Sequence, residues 1–215
     1  QTTTFRVCIG TPLPAPVNDE CAGAITVPVN PTVECAQMAS GTIQSSRASP
    51  QPNACNPNDD DDVWFKFTAT STTHAIELKN ITGSTTDLFH VLYTGTCDAM
   101  TTVYCSDPNY SLAKNLVVGQ EYYIRVYSNT ANPNQTSSFN ICINTMPSAA
   151  PVNDDCANAI TVGVNTGLTC DVFASGMVYG ATASTEPNNC ATNQDDDDIW
   201  YEFVATSTKH IISFR

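Results

Sequence analysis

Apolar residues along this chain come in short runs that alternate with polar ones. Val63-Trp64-Phe65-Lys66-Phe67, His74-Ala75-Ile76-Glu77-Leu78, Leu88-Phe89-His90-Val91-Leu92-Tyr93, Glu121-Tyr122-Tyr123-Ile124-Arg125-Val126-Tyr127 and Phe139-Asn140-Ile141-Cys142-Ile143 are rich in β-branched and aromatic side chains. A period of two in such segments predicts strands with one buried face. Turn-forming residues punctuate them, as in Thr82-Gly83-Ser84, Tyr93-Thr94-Gly95 and Val118-Gly119-Gln120, and no window sustains a 3.6-residue apolar period. About eight short strands in roughly 130 residues predict an all-β chain of tandem antiparallel β-sandwich, jelly-roll-like domains.

The chain also repeats itself. Ala15-Pro16-Val17-Asn18-Asp19-Glu20-Cys21 returns as Ala150-Pro151-Val152-Asn153-Asp154-Asp155-Cys156, and Cys35 and Cys55 return as Cys170 and Cys190. Asp59-Asp60-Asp61-Asp62-Val63-Trp64-Phe65 returns as Asp195-Asp196-Asp197-Asp198-Ile199-Trp200-Tyr201, and His74 as His210. The N-terminus matches a different part of the unit, since Thr4-Phe5-Arg6-Val7-Cys8-Ile9 corresponds to Ser138-Phe139-Asn140-Ile141-Cys142-Ile143. A repeat of this length is the signature of an array. The expected organisation is the C-terminal strand of a preceding repeat (1–11), a Pro-rich linker (12–15), a complete sandwich (16–147), a second linker (148–150) and the N-terminal half of the next repeat (151–215). On this reading the chain is a window on a longer repetitive protein, its half unit completed by further sequence or by neighbouring molecules, with strand donation the more unusual route. Proline makes the linkers semi-extended spacers.

Composition narrows the setting. Only 13% of residues are charged, and Asp and Glu outnumber Lys and Arg 21 to 8, for a net charge of −13. A polyanion repels phosphate backbones and anionic lipid headgroups, so neither nucleic acid nor a membrane is an expected partner. No run of 18 apolar residues is present. Ten cysteines against three histidines, with no C-x-x-C knuckle, favour disulfides over zinc and hence an extracellular or cell-surface location. Proximity pairs Cys97 with Cys105 and Cys35 with Cys55, leaving Cys21 for Cys142; by recurrence Cys170 would join Cys190. The competing scheme staples successive units through Cys142–Cys156 and Cys8–Cys21.

Taken together, Asn18-Asp19-Glu20-Cys21, Asp60-Asp61-Asp62-Val63-Trp64-Phe65-Lys66-Phe67, Tyr93-Thr94-Gly95-Thr96-Cys97, Tyr104-Cys105-Ser106-Asp107, Gly119-Gln120-Glu121-Tyr122-Tyr123-Ile124-Arg125-Val126 and Phe139-x-Ile141-Cys142 resemble tandem modules of very large secreted surface proteins of gliding, Bacteroidota-type bacteria. Those modules are similar to the bacterial pre-peptidase C-terminal β-sandwich. The resemblance spans nearly the whole chain and implies adhesins or accessory binding modules, often exported by the type IX secretion system. It implies no single ligand, because one fold hosts many functions.

The strongest polar feature is the acidic run. Calcium takes six to eight oxygens, and Asp60, Asp61 and Asp62 with Asp19 and Glu20, or Asp195, Asp196, Asp197 and Asp198 in the second copy, are candidate ligands. The resemblance supports this, since related modules include calcium binders, whereas the spacing departs from the EF-hand pattern. A solvated acidic turn guarding a strand edge is the bland alternative. Trp64 and Trp200 alternate against Phe65/Phe67 and Tyr201/Phe203 and are either core residues or a sugar-stacking platform. His74, His90 and His210 lack spaced partners and read as structural. No G-x-S-x-G elbow or separated carboxylate pair appears, so no catalysis is expected. The sequence thus reads as a non-catalytic structural or adhesive repeat of a long surface protein or filament, with calcium as candidate cofactor and neighbouring repeats, like chains, surface glycans or proteins as partners. The alternative is a carbohydrate- or protein-binding accessory module of a secreted hydrolase.

Overall fold

The computed structural model describes residues 4–7, 9–11, 13–53, 55, 61–107, 109–130, 135–184 and 197–214. They form two compact units, Gln1–Met146 and Pro147–Arg215. The described residues are all-β apart from two 3₁₀ turns, Cys21–Gly23 and Cys156–Asn158. Among the described residues no helix is long and apolar enough to cross a membrane.

The first unit holds β1 (Ile25–Thr26), β2 (Val29–Asn30), β3 (Ala39–Thr42), β4 (Asp62–Thr68), β5 (His74–Thr82), β6 (Leu88–Thr96), β7 (Ala99–Ser106), β8 (Tyr110–Ala113), β9 (Glu121–Ser128) and β10 (Ser138–Thr145). One sheet runs β1-β4-β9-β6-β7 and the other β2-β10-β5-β8, with β3 also on β10. The long ladders are antiparallel, as the alternating pattern predicts. The two-residue strands β1 and β2 pair in parallel with β4 and β10, so both sheets are mixed at one edge. One short arm, Ile25 to Asn30, feeds both edges in succession, and its direction rather than side-chain pattern sets the pairing.

The core lies between the sheets. Phe65 and Phe67 of β4, Ile76 and Leu78 of β5, Ile124 and Val126 of β9, and Phe139, Ile141 and Ile143 of β10 interdigitate there. These are the alternate positions of each strand, the packing a period of two provides. Gly41 of β3 is required at this core: a β-carbon there would lie 2.7 Å from both the Phe65 and the Phe139 ring edges. A second apolar cluster, Cys21, Trp64, Val91, Tyr93 and Tyr127, lies on the opposite face of the β4-β9-β6 ladder from the sandwich core. Trp64 does alternate against Phe65, but both faces of β4 are buried.

The disulfides are Cys21–Cys97, Cys35–Cys142 and Cys55–Cys105, so none of the proximity pairs Cys35–Cys55, Cys97–Cys105 and Cys21–Cys142 exists. Cys97 sits in the β6–β7 turn while Cys105 lies toward the other end of β7, about 20 Å away at roughly 3.3 Å per residue, far beyond bridging distance. Cys35 belongs to the excursion over β10, whereas Cys21 and Cys55 pack with the Trp64 cluster of the other sheet. Each bridge ties an irregular N-terminal segment to a later strand or turn. The scheme across linkers fails too, because Cys142 and Cys21 are occupied and Cys156 is a free, exposed thiol. Cys170 is likewise free; Cys8 and Cys190 lie outside the described residues.

The second unit repeats the start of the first. Its β11 (Ile160–Thr161) pairs in parallel with β12 (Tyr201–Glu202), with Ile160 opposite Tyr201 as Ile25 is opposite Phe65.

Candidate functional site

The acidic run and the Asn-Asp motif meet in space, but as a clamp. Asn18 and Trp64 exchange backbone and side-chain bonds: Trp64 N donates to Asn18 O at 2.8 Å and Asn18 Nδ2 to Trp64 O at 2.9 Å. Asp62 is fully buried and receives Ser49 N (2.8 Å), Ser49 Oγ (2.5 Å) and the Arg125 guanidinium (2.5 Å). Trp64 Nε1 donates to the same Ser49 Oγ at 2.8 Å. Arg125 also donates to the carbonyls of Gln51 (3.1 Å) and Ser49 (3.4 Å), and its guanidinium lies over the rings of Trp64 and Tyr127. Burial pushes the Asp62 carboxyl above its usual range, and Arg125 and Ser49 pull it back. The clamp thus holds the 47–53 loop down over Trp64.

The other candidate ligands turn elsewhere. Asp61 is buried and accepts Ser128 N and Oγ at 3.0–3.1 Å. Asp19 accepts Arg47 N at 2.7 Å and Nε at 3.3 Å. Glu20 is exposed, its carbonyl closing the 3₁₀ turn through Gly23 N. Among the described residues no three acidic, histidine or cysteine side chains gather as a metal site. Asp19, Glu20, Asp61 and Asp62 therefore do not fit a calcium site: the three buried carboxylates point at separate protein donors. Asp60, Asp195 and Asp196 lie outside the described residues.

The second unit builds the Asn–Ser–Asp–Trp part of this clamp from its own residues. Trp200 N donates to Asn153 O, Trp200 Nε1 to Ser184 Oγ at 2.7 Å, and Ser184 N and Oγ to Asp198 at 3.0 and 2.8 Å. Asp154 receives Thr182 where Asp19 receives Arg47. Asp197 is exposed. Trp64, at 0% exposure, is no sugar platform, and Trp200 is half-buried with its indole N–H committed. His74 is structural: Nε2 accepts Thr70 N and Ser71 N at 3.1 Å, which makes Nδ1 the protonated nitrogen donating to Asn144 O. His210 accepts Thr206 N and Ser207 N in the same way. His90 is buried against Ser111 Oγ at 2.6 Å, and burial lowers its pKa to about 4.

An open groove of about 540 Å³ lies elsewhere, along β3, β10 and the end of β5. Its apolar lining is Val17, Ile25, Gly41 and Phe139. Across it runs a polar chain: Asn80 Nδ2 donates to Asn140 Oδ1 at 3.0 Å, and Asn140 Nδ2 to Ser40 Oγ at 2.9 Å. A register shift between Ser138 and Asn140, with Asn80 in the left-handed region at φ 53°, brings these amides together. Among the described residues no carboxylate, amine, guanidine or imidazole lines the groove, so its chemistry suits a neutral, hydroxyl-rich ligand. Sequence reasoning missed these amides, since Asn in a strand carries no sign of a site. It also missed Arg125 and Ser49, although Arg125 shares a strand face with Tyr123 and Tyr127 and Ser49 recurs as Ser184.

A family profile described as galactose binding domain-like and associated with type IX secretion matches residues 17–141 and 152–213. The chain belongs to this family. Together with three disulfides, which persist in oxidising compartments, membership marks an exported, Bacteroidota-type module. No curated protein matches the chain. Among solved structures, the periplasmic inhibitor of g-type lysozyme from Aeromonas hydrophila is similar at 14% identity and a TM-score of 0.32, over 56% of this chain and 98% of its own.

Proposed function

We propose that the chain is part of a non-catalytic adhesive array on a bacterial surface, in which the complete unit binds a neutral glycan in the β3–β10–β5 groove. The observation that carries this reading is the Asn80–Asn140–Ser40 chain beside Ile25 and Phe139 in a groove whose lining residues carry no charge. Membership of a galactose binding domain-like family supports it. Repetition of such units on one chain converts weak single contacts into firm attachment through effective concentration. Clamp and disulfides make each complete unit a rigid carrier for the groove, and neither needs a cation.

Titrating the 215-residue chain with galactose-containing neutral polysaccharides tests it by calorimetry. Saturable binding is expected, weakened roughly 2- to 10-fold by Asn80→Ala or Asn140→Ala, the worth of one hydrogen bond. No saturable binding, or binding unchanged in both variants, overturns the reading.

A further inference from the structure

The groove stops at β5, but the outer face of the same sheet continues past it to β8. Asn140 of β10 stands opposite Ser40 of β3 on one side and opposite Lys79 of β5 on the other, so Ser40, Asn140 and Lys79 make one row across three strands. One pleat back along β5, Glu77 stands opposite Tyr110 of β8. The next pair in that ladder, Ile76 and Ser111, faces inward: Ile76 joins the core and Ser111 meets the buried His90. Side chains alternate along a strand, which turns Glu77 and Tyr110 outward, to the face that carries the amides.

The side chains on this stretch are only partly used by the fold. Tyr110 is 46% exposed, the most exposed aromatic ring among the described residues of the complete unit. Beside it Lys79 Nζ donates to Glu77 Oε1 at 2.9 Å, with 37% and 30% of the two side chains exposed. A pair so open to water adds little to stability. The other carboxylate oxygen, Glu77 Oε2, faces Cys35 Sγ at 3.7 Å, and Cys35, bridged to Cys142, has no proton to give. Among the described residues no N–H or O–H reaches Glu77 Oε2. A bare ring, an open acceptor and an ammonium held in place thus lie side by side.

We propose that Tyr110, Glu77 and Lys79 form a second sugar subsite continuous with the groove, so that one neutral oligosaccharide crosses the sheet from β3 to β8; this rests on the glycan reading of the groove. The Tyr110 ring covers the apolar face of a sugar, its polar tip remaining in water. Glu77 Oε2 accepts from one hydroxyl of that sugar and Lys79 Nζ donates to the next. The charges of Lys79 and Glu77 cancel, and a net charge of −13 repels acidic glycans, so the ligand is neutral. From Asn140 to Tyr110 is two strands across and one pleat along, on the order of 12 Å from strand spacing and rise. A single sugar ring does not cover that span, which makes the ligand an internal stretch of glycan rather than a terminal monosaccharide.

Calorimetry of the 215-residue chain with linear β-1,4-linked galacto-oligosaccharides of two and of four residues tests the subsite. The tetrasaccharide should bind roughly fivefold to tenfold more tightly than the disaccharide, a modest return for covering one aromatic face. Tyr110→Ala should remove that gain and leave the disaccharide affinity unchanged, while Tyr110→Phe keeps it. Glu77→Gln should weaken the tetrasaccharide alone, by roughly 2- to 10-fold, whereas Asn140→Ala weakens both lengths. Tyr110 lies outside the core, and an unchanged urea midpoint for Tyr110→Ala confirms that the variant is folded. Equal affinity for the two lengths, a tetrasaccharide indifferent to Tyr110→Ala, or tighter binding of a tetragalacturonate overturns the proposal. A disaccharide that binds and depends on Asn140 while Tyr110→Ala changes nothing leaves the groove standing and the second subsite refuted; binding of neither length refutes both.

Discussion

Replacing Asp62 with alanine removes the carboxylate on which the clamp of the first unit converges. Three donors lose their acceptor: Ser49 N, Ser49 Oγ and the Arg125 guanidinium. Both members of the pair are fully buried, so Arg125 keeps its charge in a medium that cannot solvate it, with two carbonyls and two aromatic faces as partial compensation. Breaking a buried pair from one side costs about 3–5 kcal/mol, a large share of the roughly 5–15 kcal/mol that holds a domain together. Urea unfolding followed by far-ultraviolet circular dichroism measures this directly. Arg125→Met should cost a similar amount, because it strands the carboxylate instead. The double variant Asp62→Leu with Arg125→Met should recover most of the loss, since removing both charges leaves neither unpaired. A loss below about 1 kcal/mol for Asp62→Ala, or a double variant as unstable as the sum of the singles, would refute the reasoning.

Two further outcomes follow from the same structure. Replacing Cys35 and Cys142 with serine opens a link between residues 107 apart and should lower stability by about 2–5 kcal/mol, and mapping of the unreduced protein should return Cys21–Cys97 and Cys55–Cys105 intact. Burial holds His90 near a pKa of about 4 against an ordinary 6.5 and lowers His74 as well. A depressed histidine pKa stabilises the fold above 6.5, and that contribution is lost as pH falls from about 6.5 toward 4. For His90 the loss is roughly 3 kcal/mol. His90→Leu should flatten the decline of the urea midpoint across this window; an unaltered slope would show that His90 does not titrate there.

The β-sandwich was legible because its strands are short, β-branched or aromatic, and mostly alternating. In β10 Phe139, Ile141 and Ile143 alternate with polar residues or Cys142, and with Ile76 and Leu78 of β5 they meet in the core. The repeat was legible as direct sequence identity, and the structure gives it local meaning, since Asn18, Asp62 and Trp64 make nearly the same bonds as Asn153, Asp198 and Trp200. The site was harder to read. Four adjacent aspartates look like a cation loop until Asp61 and Asp62 are seen to alternate as strand residues do, one toward Ser128 and the other toward Ser49 and Arg125. Arg125 is more than sixty residues from its partner, and nothing in local pattern joins them.

What the sequence by itself determined is therefore what depends on neighbours along the chain: strand identity from alternation, turns from glycine and asparagine, an oxidising location from cysteine number, and the unit from its own recurrence. What only the tertiary structure decided is what depends on which strands lie side by side. Cysteine pairing went to Cys21–Cys97, Cys35–Cys142 and Cys55–Cys105 because a strand carries nearby residues far apart while a sandwich brings distant ones together. Asp61 and Asp62 found protein donors because β9 brings Ser128 and Arg125 beside β4. The amides of the groove meet because β10 runs between β3 and β5. A disulfide or hydrogen bond needs atoms within a few ångströms, and in a β-sheet that distance is set by register between strands, which no stretch of sequence contains alone.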